Sequence, residues 1–338
     1  MSNDIILSVR PLGFPWETAD PFLFCVYHND AFPAGNDKLG PAASLTGRNI
    51  GMDFEGKDGW RMYHGSVVPG FPQHPHRGFE TVTVMREGYI DHSDSLGATA
   101  RFGKGDVQWL TAGKGIVHCE MFPLLDSKGP NPVELFQIWL NLPSKDKFVE
   151  PYFSMFWDQD VPRYVSKDGK TEVLLVTGAL EGIQPPPPPP NSWAARSEAH
   201  VAIWTIRMAP QSEWTLPAAA TGLNRSLYPF NGSAIQIAGR DVPRSMIVKL
   251  LSDADVKLQN KGNDVAEFLV LQGRPIGEPV VQYGPFVMNS RAEIQQAFSD
   301  YQTTGFGGWP WPSDDPVFAR AQGRFAKHAS GRVEHVDR

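Results

Sequence analysis

The sequence predicts an all-β protein of barrels or sandwiches, in two domains. Three observations carry this. The chain has 338 residues, which at ~150 residues per domain suggests two. It has 30 Pro and 32 Gly, many for a helical protein but suited to short strands joined by turns. Its apolar segments are short and alternate. In Phe79-Glu-Thr-Val-Thr-Val-Met85, β-branched residues recur with the period of a strand.

Taken in chain order, Asp20-Pro-Phe-Leu-Phe-Cys-Val-Tyr27 reads as an apolar strand and 28–58, rich in Gly, Asn and Asp, as loop. Strands follow from Phe79 to the turn at Glu87-Gly88, from Tyr89 to His92, from Val107 to Thr111 and from Ile116 to His118. Asp94-Ser-Leu-Gly97 turns the chain between two of them. Val133–Leu142 is a buried strand, and Pro143 with the charged run Ser144–Glu150 reads as an interdomain connection. Strands are expected again at 173–177, 201–208, 234–238, 246–251 and 267–271. Ser290 and Glu293 have capping-box spacing and predict a helix through Gln295, Phe298 and Tyr301. The tail from Gly305 reads as an irregular arm, with a short helix near Asp315–Arg324. The six prolines Pro185–Pro190 form a stiff, donor-free stretch. It reads as a surface insertion, with partner recognition as the alternative.

Bulk properties exclude several classes. Forty-one per cent hydrophobic and 20% charged residues are ordinary for a soluble globular chain. The net charge of −6 gives no general attraction to nucleic acid, so direct nucleic-acid contact is not expected. Two cysteines, Cys25 and Cys119, make no disulfide framework, and a reduced, cytoplasmic protein is expected. The start, Met1 to Arg10, places an acid before a very short apolar run and does not read as a secretory signal. No apolar run approaches the ~20 residues of a membrane helix.

The chemistry concentrates at residues 74–120. His74-Pro-His76 and His118-Cys-Glu120 are pairs with one spacer, and in a strand such residues share a face. If the two strands are neighbours, opposed side chains start ~4.5–5.5 Å apart at Cβ and all four can converge. Three imidazoles and a carboxylate suit a divalent transition metal, with two octahedral positions open. Glu80 is the competing carboxylate, but on a straight strand its Cα lies about 13 Å from that of His76. It could serve only if the chain bends at Gly78, so Glu120 is preferred and Glu80 is expected to be a supporting or structural residue. Cys119 should point to the opposite face. His28 and His92 are read as surface or structural, Gln108, Trp109 and Phe79 as core, and Phe79 and Trp109 as apolar groups that could line a substrate cavity. Spaced Cys pairs, phosphate-binding Gly loops and a Gly-x-Ser-x-Gly elbow are absent.

His74-Pro-His-Arg-Gly-Phe-Glu-Thr-Val-Thr83 and Gly105-Asp-Val-Gln-Trp-Leu-Thr-Ala-Gly-Lys-Gly-Ile-Val-His-Cys-Glu-Met121 closely resemble the two signature segments of the pirin family. Asp94–Gly97, Gly273–Pro279 and Gly284–Asn289 are similar to it as well, and the resemblance runs from about residue 20 to about 302. It implies a bicupin: two stacked antiparallel β-barrels of double-stranded β-helix or jelly-roll type, with short C-terminal helices. The expected bounds are 1–143 for a metal-binding cupin domain, 151–302 for a metal-free one and 303–338 for an arm.

The resemblance maps the family's ligands onto His74, His76, His118 and Glu120, the four that spacing selects. It implies one divalent metal, Fe(II) first, with Mn, Co, Ni, Cu or Zn able to take the site. It also implies a quercetin 2,3-dioxygenase-type activity on a small phenolic substrate and dioxygen, with Glu120 as proton acceptor. The alternative it implies is a metal- or redox-sensing regulator of a protein partner. Cys119 stands where Ser or Ala is usual, and the proline run and the tail are longer than the resemblance leads one to expect.

Overall fold

Strand is the main regular structure of the chain, and the expected positions are largely realised. The computed structural model describes residues 5–336. Residues 1–4 and 337–338, the start of the expected N-terminal domain and the end of the expected arm, lie outside the described residues. The chain forms two compact units, each drawing on separated stretches of sequence. One comprises the chain up to Val26, Ile138–Asn141 and Gln159–Gly277. The other comprises Tyr27–Gln137, Leu142–Asp158 and the chain from Glu278. The expected bounds 1–143, 151–302 and 303–338 were contiguous; these units interleave.

The first unit contains a seven-stranded antiparallel sheet in the order Ile6–Pro11, Met246–Leu250, Asn224–Asn231, Ala266–Gly273, Ala202–Met208, Thr171–Thr177, Arg163–Val165. A four-stranded sheet runs Ser212–Leu216, Val256–Asn260, Ile235–Ile237, Arg240–Val242. One core lies between them, with Val173, Trp204, Leu227 and Phe268 from the larger sheet and Leu216, Ile237 and Leu258 from the smaller. Side chains of this size contribute roughly 1.5–3 kcal/mol each on burial. Pro185–Pro190 carries neither helix nor strand and leads to a turn at Trp193–Ala195.

The second unit carries the His pairs. Its first sheet places Tyr152–Phe156, Val107–Thr111 and Phe79–Glu87 side by side, followed by 131–137 of the strand Asn131–Asn141 and 27–32 of the strand Phe22–Phe32. Its second sheet has the order Val333–Val336, Arg324–Lys327, Thr99–Gly103, Tyr89–Asp94, Ile116–Met121, Gly70–His76. Phe32, Met85, Leu110, Leu135 and Phe153 of the first sheet meet Ile90, Ala100, Phe102 and Ile116 of the second in one core. Both units are thus paired antiparallel sheets of cupin type rather than closed cylinders.

The helix forms where the capping box predicts, at Arg291–Thr304. Glu293 N–H donates to Ser290 Oγ at 3.3 Å, and Asn289 N–H donates to Glu293 Oε2 at 3.0 Å. The expected short helix near Asp315–Arg324 does not form; only turn and extended chain precede the strand Arg324–Lys327. The reason is that a helix would use the carbonyls of Phe318 and Ala319 internally, and Arg101 takes them instead, together with that of Gln322, at 2.8–2.9 Å. Arg101 is fully buried and also forks onto Asp91, with both contacts at 2.7 Å. The expected loop at 28–58 begins late, because the strand Phe22–Phe32 continues through His28, Asp30 and Phe32, all buried. The Ser144–Glu150 run is also more than a connection: Lys147 is buried, and its Nζ donates to the carbonyls of Gly78 at 2.7 Å and Val287 at 3.1 Å. No helix among the described residues is long and apolar enough to cross a membrane.

Replacing Arg101 by Met should remove a buried ion pair from one side and release the arm. A loss of about 3–5 kcal/mol is expected in urea unfolding, because Asp91 is left buried without its counter-charge. Arg101→Lys should not restore it, since an ammonium cannot supply the same planar fork. Unchanged stability in both variants would contradict this role for the guanidinium.

Candidate metal centre

The two His pairs lie on neighbouring antiparallel strands, Gly70–His76 and Ile116–Met121, with His74 directly opposite His118. A one-residue irregularity between Phe71 and His74 makes this register: Phe71 faces Glu120, yet His74 three residues on faces His118 only two residues back. On its other edge Ile116–Met121 pairs with Tyr89–Asp94, with His92 opposite Glu120 and Asp94 opposite His118. Directly opposed residues of an antiparallel pair share a face. The interior therefore receives His74, His118, Glu120, Phe71, His92 and Asp94 together.

His74, His76 and His118 each offer a ring nitrogen, and these atoms all lie within 4.8 Å of one another. His76 and His118 are buried and His74 half-buried. Burial pushes all three rings toward the neutral form: His74 falls to about 4, while His76 and His118 lie well below the ordinary value, lowered further by their neighbours. Neutral imidazoles keep the lone pair a metal needs. His74 Nδ1 donates to the Pro72 carbonyl at 2.8 Å, which leaves the Nε2 lone pair available to a metal. The deciding observation is His118: both of its ring nitrogens are buried without a hydrogen-bond partner. A buried polar atom left unpaired costs roughly 1–3 kcal/mol. A divalent ion among these three rings would satisfy one of the two nitrogens, so the donor set fits a metal.

Glu120 Oε2 is 3.9 Å from His118 Nε2 and accepts from Gln137 Nε2 at 2.7 Å. Thr83 Oγ1 approaches Oε1 at 3.5 Å. Burial raises the carboxyl's pKa, partly offset by His92, Gln137 and Thr83. Glu80 is turned away. The chain does bend at Gly78, which has φ +86°, but the new strand starts with Glu80 opposite Thr111 and Thr81 opposite the core residue Leu110. Glu80 therefore faces outward from the histidines, fully buried, and accepts from Thr111 Oγ1 at 2.7 Å. Cys119 faces away as expected, packed with Leu39, Val68 and Met121.

Phe79 shares the interior face with Thr81, and its ring centre lies 5.1 Å from that of His76. Trp109 sits opposite Val82 on the outward face, against Phe156, and does not line the interior. His92 and His28 are not surface residues. His92 contacts Asp94 Oδ2 at 3.2 Å and stacks on Phe153, while its Nδ1 is buried without a partner. The interior also holds Gln108, opposite Thr83, with both amide atoms buried and unpartnered. Sequence reasoning missed His92 as an interior residue; its even offset from Ile90 was the available signal.

Family models match two stretches: one described as Pirin over residues 16–140, and one described as Pirin C-terminal cupin domain over 203–307. The chain belongs to the pirin family. A pirin-like protein of Solanum lycopersicum is 39% identical over 239 residues, covering 70% of this chain and 77% of its own length. The Pseudomonas aeruginosa protein named "Putative quercetin 2,3-dioxygenase PA2418" is 36% identical over 237 residues, covering 70% and 79%. Pirin of Homo sapiens is 34% identical over 254 residues, covering 72% and 80%. Among solved structures, a quercetin 2,3-dioxygenase from Acinetobacter baumannii superposes with TM-score 0.71 over 90% of this chain and 98% of its own, at 23% identity, which speaks to the fold. In this pirin-family chain the arm after residue 307 lies beyond both matched stretches.

Bound metal should be near one per chain, because 151–290 contains only one histidine, His200. His118→Ala should lower metal content while far-UV circular dichroism is retained, and Glu80→Gln should keep the metal that Glu120→Gln weakens. The reverse order for the two carboxylates, or two metals per chain, would reassign the ligands. For the metal-free protein the sign of the pH dependence follows from the lowered histidine pKa values. Below about pH 6.5 the unfolded chain binds protons that the folded rings refuse, so stability should fall as pH drops from about 6.5 toward 4. Each buried imidazole adds up to about 1.4 kcal/mol per pH unit. Urea midpoints that rise over that interval on acidification would contradict the neutral, buried assignment.

Proposed function

We propose that this chain is a metal-dependent dioxygenase of flavonols or related phenols, with Fe(II) the first expectation for the metal and His74, His76, His118 and Glu120 its ligands. The observation that carries the reading is the convergence of three neutral imidazoles, one with both nitrogens buried and unpaired, inside a cupin interior. The 36% identity to a protein named for quercetin 2,3-dioxygenation supports the substrate class. When bound, the divalent ion supplies positive charge that lowers the pKa of a substrate hydroxyl and stabilises its anion.

The chain's own residues do the rest. Pro72 fixes the His74 tautomer through its carbonyl. Gln137 holds Glu120 Oε2, the oxygen on the His118 side, so that this atom joins the ring nitrogens. Oε1, held only by the long Thr83 contact, takes the proton that leaves the substrate hydroxyl. The raised pKa of the carboxyl suits this duty, since a fully solvated glutamate is a weak base at neutral pH. Phe79 beside His76 and Phe153 beside His92 give the interior apolar walls for an aromatic ring. The buried amide of Gln108 offers a donor and an acceptor in the same interior.

Under anaerobic conditions, adding a flavonol to iron-loaded protein should move the flavonol's absorption toward its deprotonated form. Admitting oxygen should consume the flavonol at a rate that chelation abolishes. Glu120→Gln should lower that rate by about 10²–10⁴-fold, the usual contribution of a positioned proton acceptor. If fully iron-loaded protein binds no phenol and takes up no oxygen, the reading fails and a regulatory binding role replaces it.

A further inference from the structure

A second polar chain runs through the same unit and is not used by the metal centre. Arg61 Nη1 donates to Asp30 Oδ1 at 3.0 Å. Tyr63 OH donates to Asp30 Oδ2 at 2.6 Å, and Tyr63 OH lies 2.7 Å from His28 Nδ1. A phenol has one proton. Because Tyr63 gives its proton to Asp30, it must accept one from His28. The proton of the neutral His28 ring is therefore on Nδ1, and Nε2 carries a lone pair with no hydrogen bond among the described residues.

The surroundings hold this ring in the neutral form. His28 is buried at 4% exposure, and burial, with the Arg61 charge nearby, pushes its pKa down to about 3. Its ring is bordered by aromatic groups: Tyr63 at 5.0 Å, Phe71 at 5.8 Å and Phe122 at 6.1 Å between centres. Phe71 stands opposite Glu120 on the interior face and lies 6.3 Å from the His74 ring. One aromatic side chain thus separates His28 from the histidine cluster. Three side chains on two separated stretches, Asp30 on one and Arg61 and Tyr63 on the other, are spent on fixing one imidazole tautomer. A ring needed only for packing requires no such arrangement.

We propose that His28 is a specificity-determining acceptor, whose fixed Nε2 lone pair receives a hydroxyl proton from an aromatic guest in this interior. The aromatic class of the guest rests on the phenolic reading above and on the Tyr63, Phe71 and Phe122 rings. A fixed acceptor discriminates. It takes a free hydroxyl and refuses the same oxygen once methylated, because an ether has no proton to give. Tyr63, Asp30 and Arg61 are positioning residues that act through His28.

The test uses full-length, Zn(II)-loaded protein with ¹⁵N-labelled histidine, and phenol and anisole as probes. At neutral pH, His28 should show a protonated Nδ1 and an unprotonated Nε2. Phenol should shift the Nε2 resonance and anisole should not. His28→Gln should weaken phenol binding about tenfold, the scale of one hydrogen bond to a buried group, and leave anisole binding unchanged. Tyr63→Phe should abolish the single tautomer. A proton on Nε2, an Nε2 signal unmoved by phenol, or equal shifts with anisole would each overturn the proposal, and these read the wild-type chain even if a variant fails to fold. Oxygen uptake with flavonols is scored separately. A phenol-sensitive Nε2 without uptake keeps this acceptor and sinks the oxygenase reading, while uptake with an unmoved Nε2 does the reverse.

Discussion

One extra residue in the Gly70–His76 strand governs the site. Side chains on a strand alternate faces, so a register slip of one turns every following residue over. Phe71 faces Glu120 in the interior; continued without a bulge, His74 would stand opposite Val117 and point outward. The irregularity between Phe71 and His74 restores His74 to the face of His118. The convergence of the three imidazoles, the burial that keeps them neutral and the unpaired nitrogens of His118 all follow from that register. Gly70, with φ +134° and no room for a Cβ against the Glu120 carbonyl, lets the strand begin close enough to pair.

The second dependence is on desolvation. A dry interior disfavours imidazolium and so keeps nitrogen lone pairs available, but it also raises the cost of every polar atom left unpaired. This interior resolves that cost selectively. Glu120 is held by Gln137, His92 by Asp94 and His74 by a backbone carbonyl. The His118 ring nitrogens, His92 Nδ1 and the Gln108 amide have no hydrogen-bond partner among the described residues. Atoms of the first kind are fixed in place, and those of the second kind remain for ligands or water. The contrast separates the scaffold of the site from its working surface without reference to any relative.

The His-x-His and His-x-Glu pairs were legible because strand parity is a local property that spacing alone encodes. The capping box at Ser290 was legible for the same reason. The bulge was not, since it depends on which strand becomes the neighbour. Nor was the outward turn of Glu80, where a left-handed Gly78 resets the parity that an even offset from His76 would suggest. His28 and Asp30 repeat the one-spacer pattern, but the loop-like composition after them concealed the end of their strand. The arm was misread near residue 315 because helix propensity is weighed against local alternatives, and the competitor there is Arg101, more than two hundred residues away. The interleaving of the two units is a property of pairing between distant segments, which no window along the chain contains.

That interleaving bears on how the chain is made. The strand Ile6–Pro11 finds its partner only at Met246–Leu250, and the sheet carrying the histidines gains its outer strands from Arg324–Lys327 and Val333–Val336. During synthesis the histidine pairs emerge well before the segments that finish their sheet. The ribosome therefore exposes an unfinished sheet edge next to Thr99–Gly103 while more than two hundred further residues are added, and unpaired edges invite association with other chains. A carboxy-terminal fusion would not alter that interval, whereas slowing translation beyond residue 307 would lengthen it.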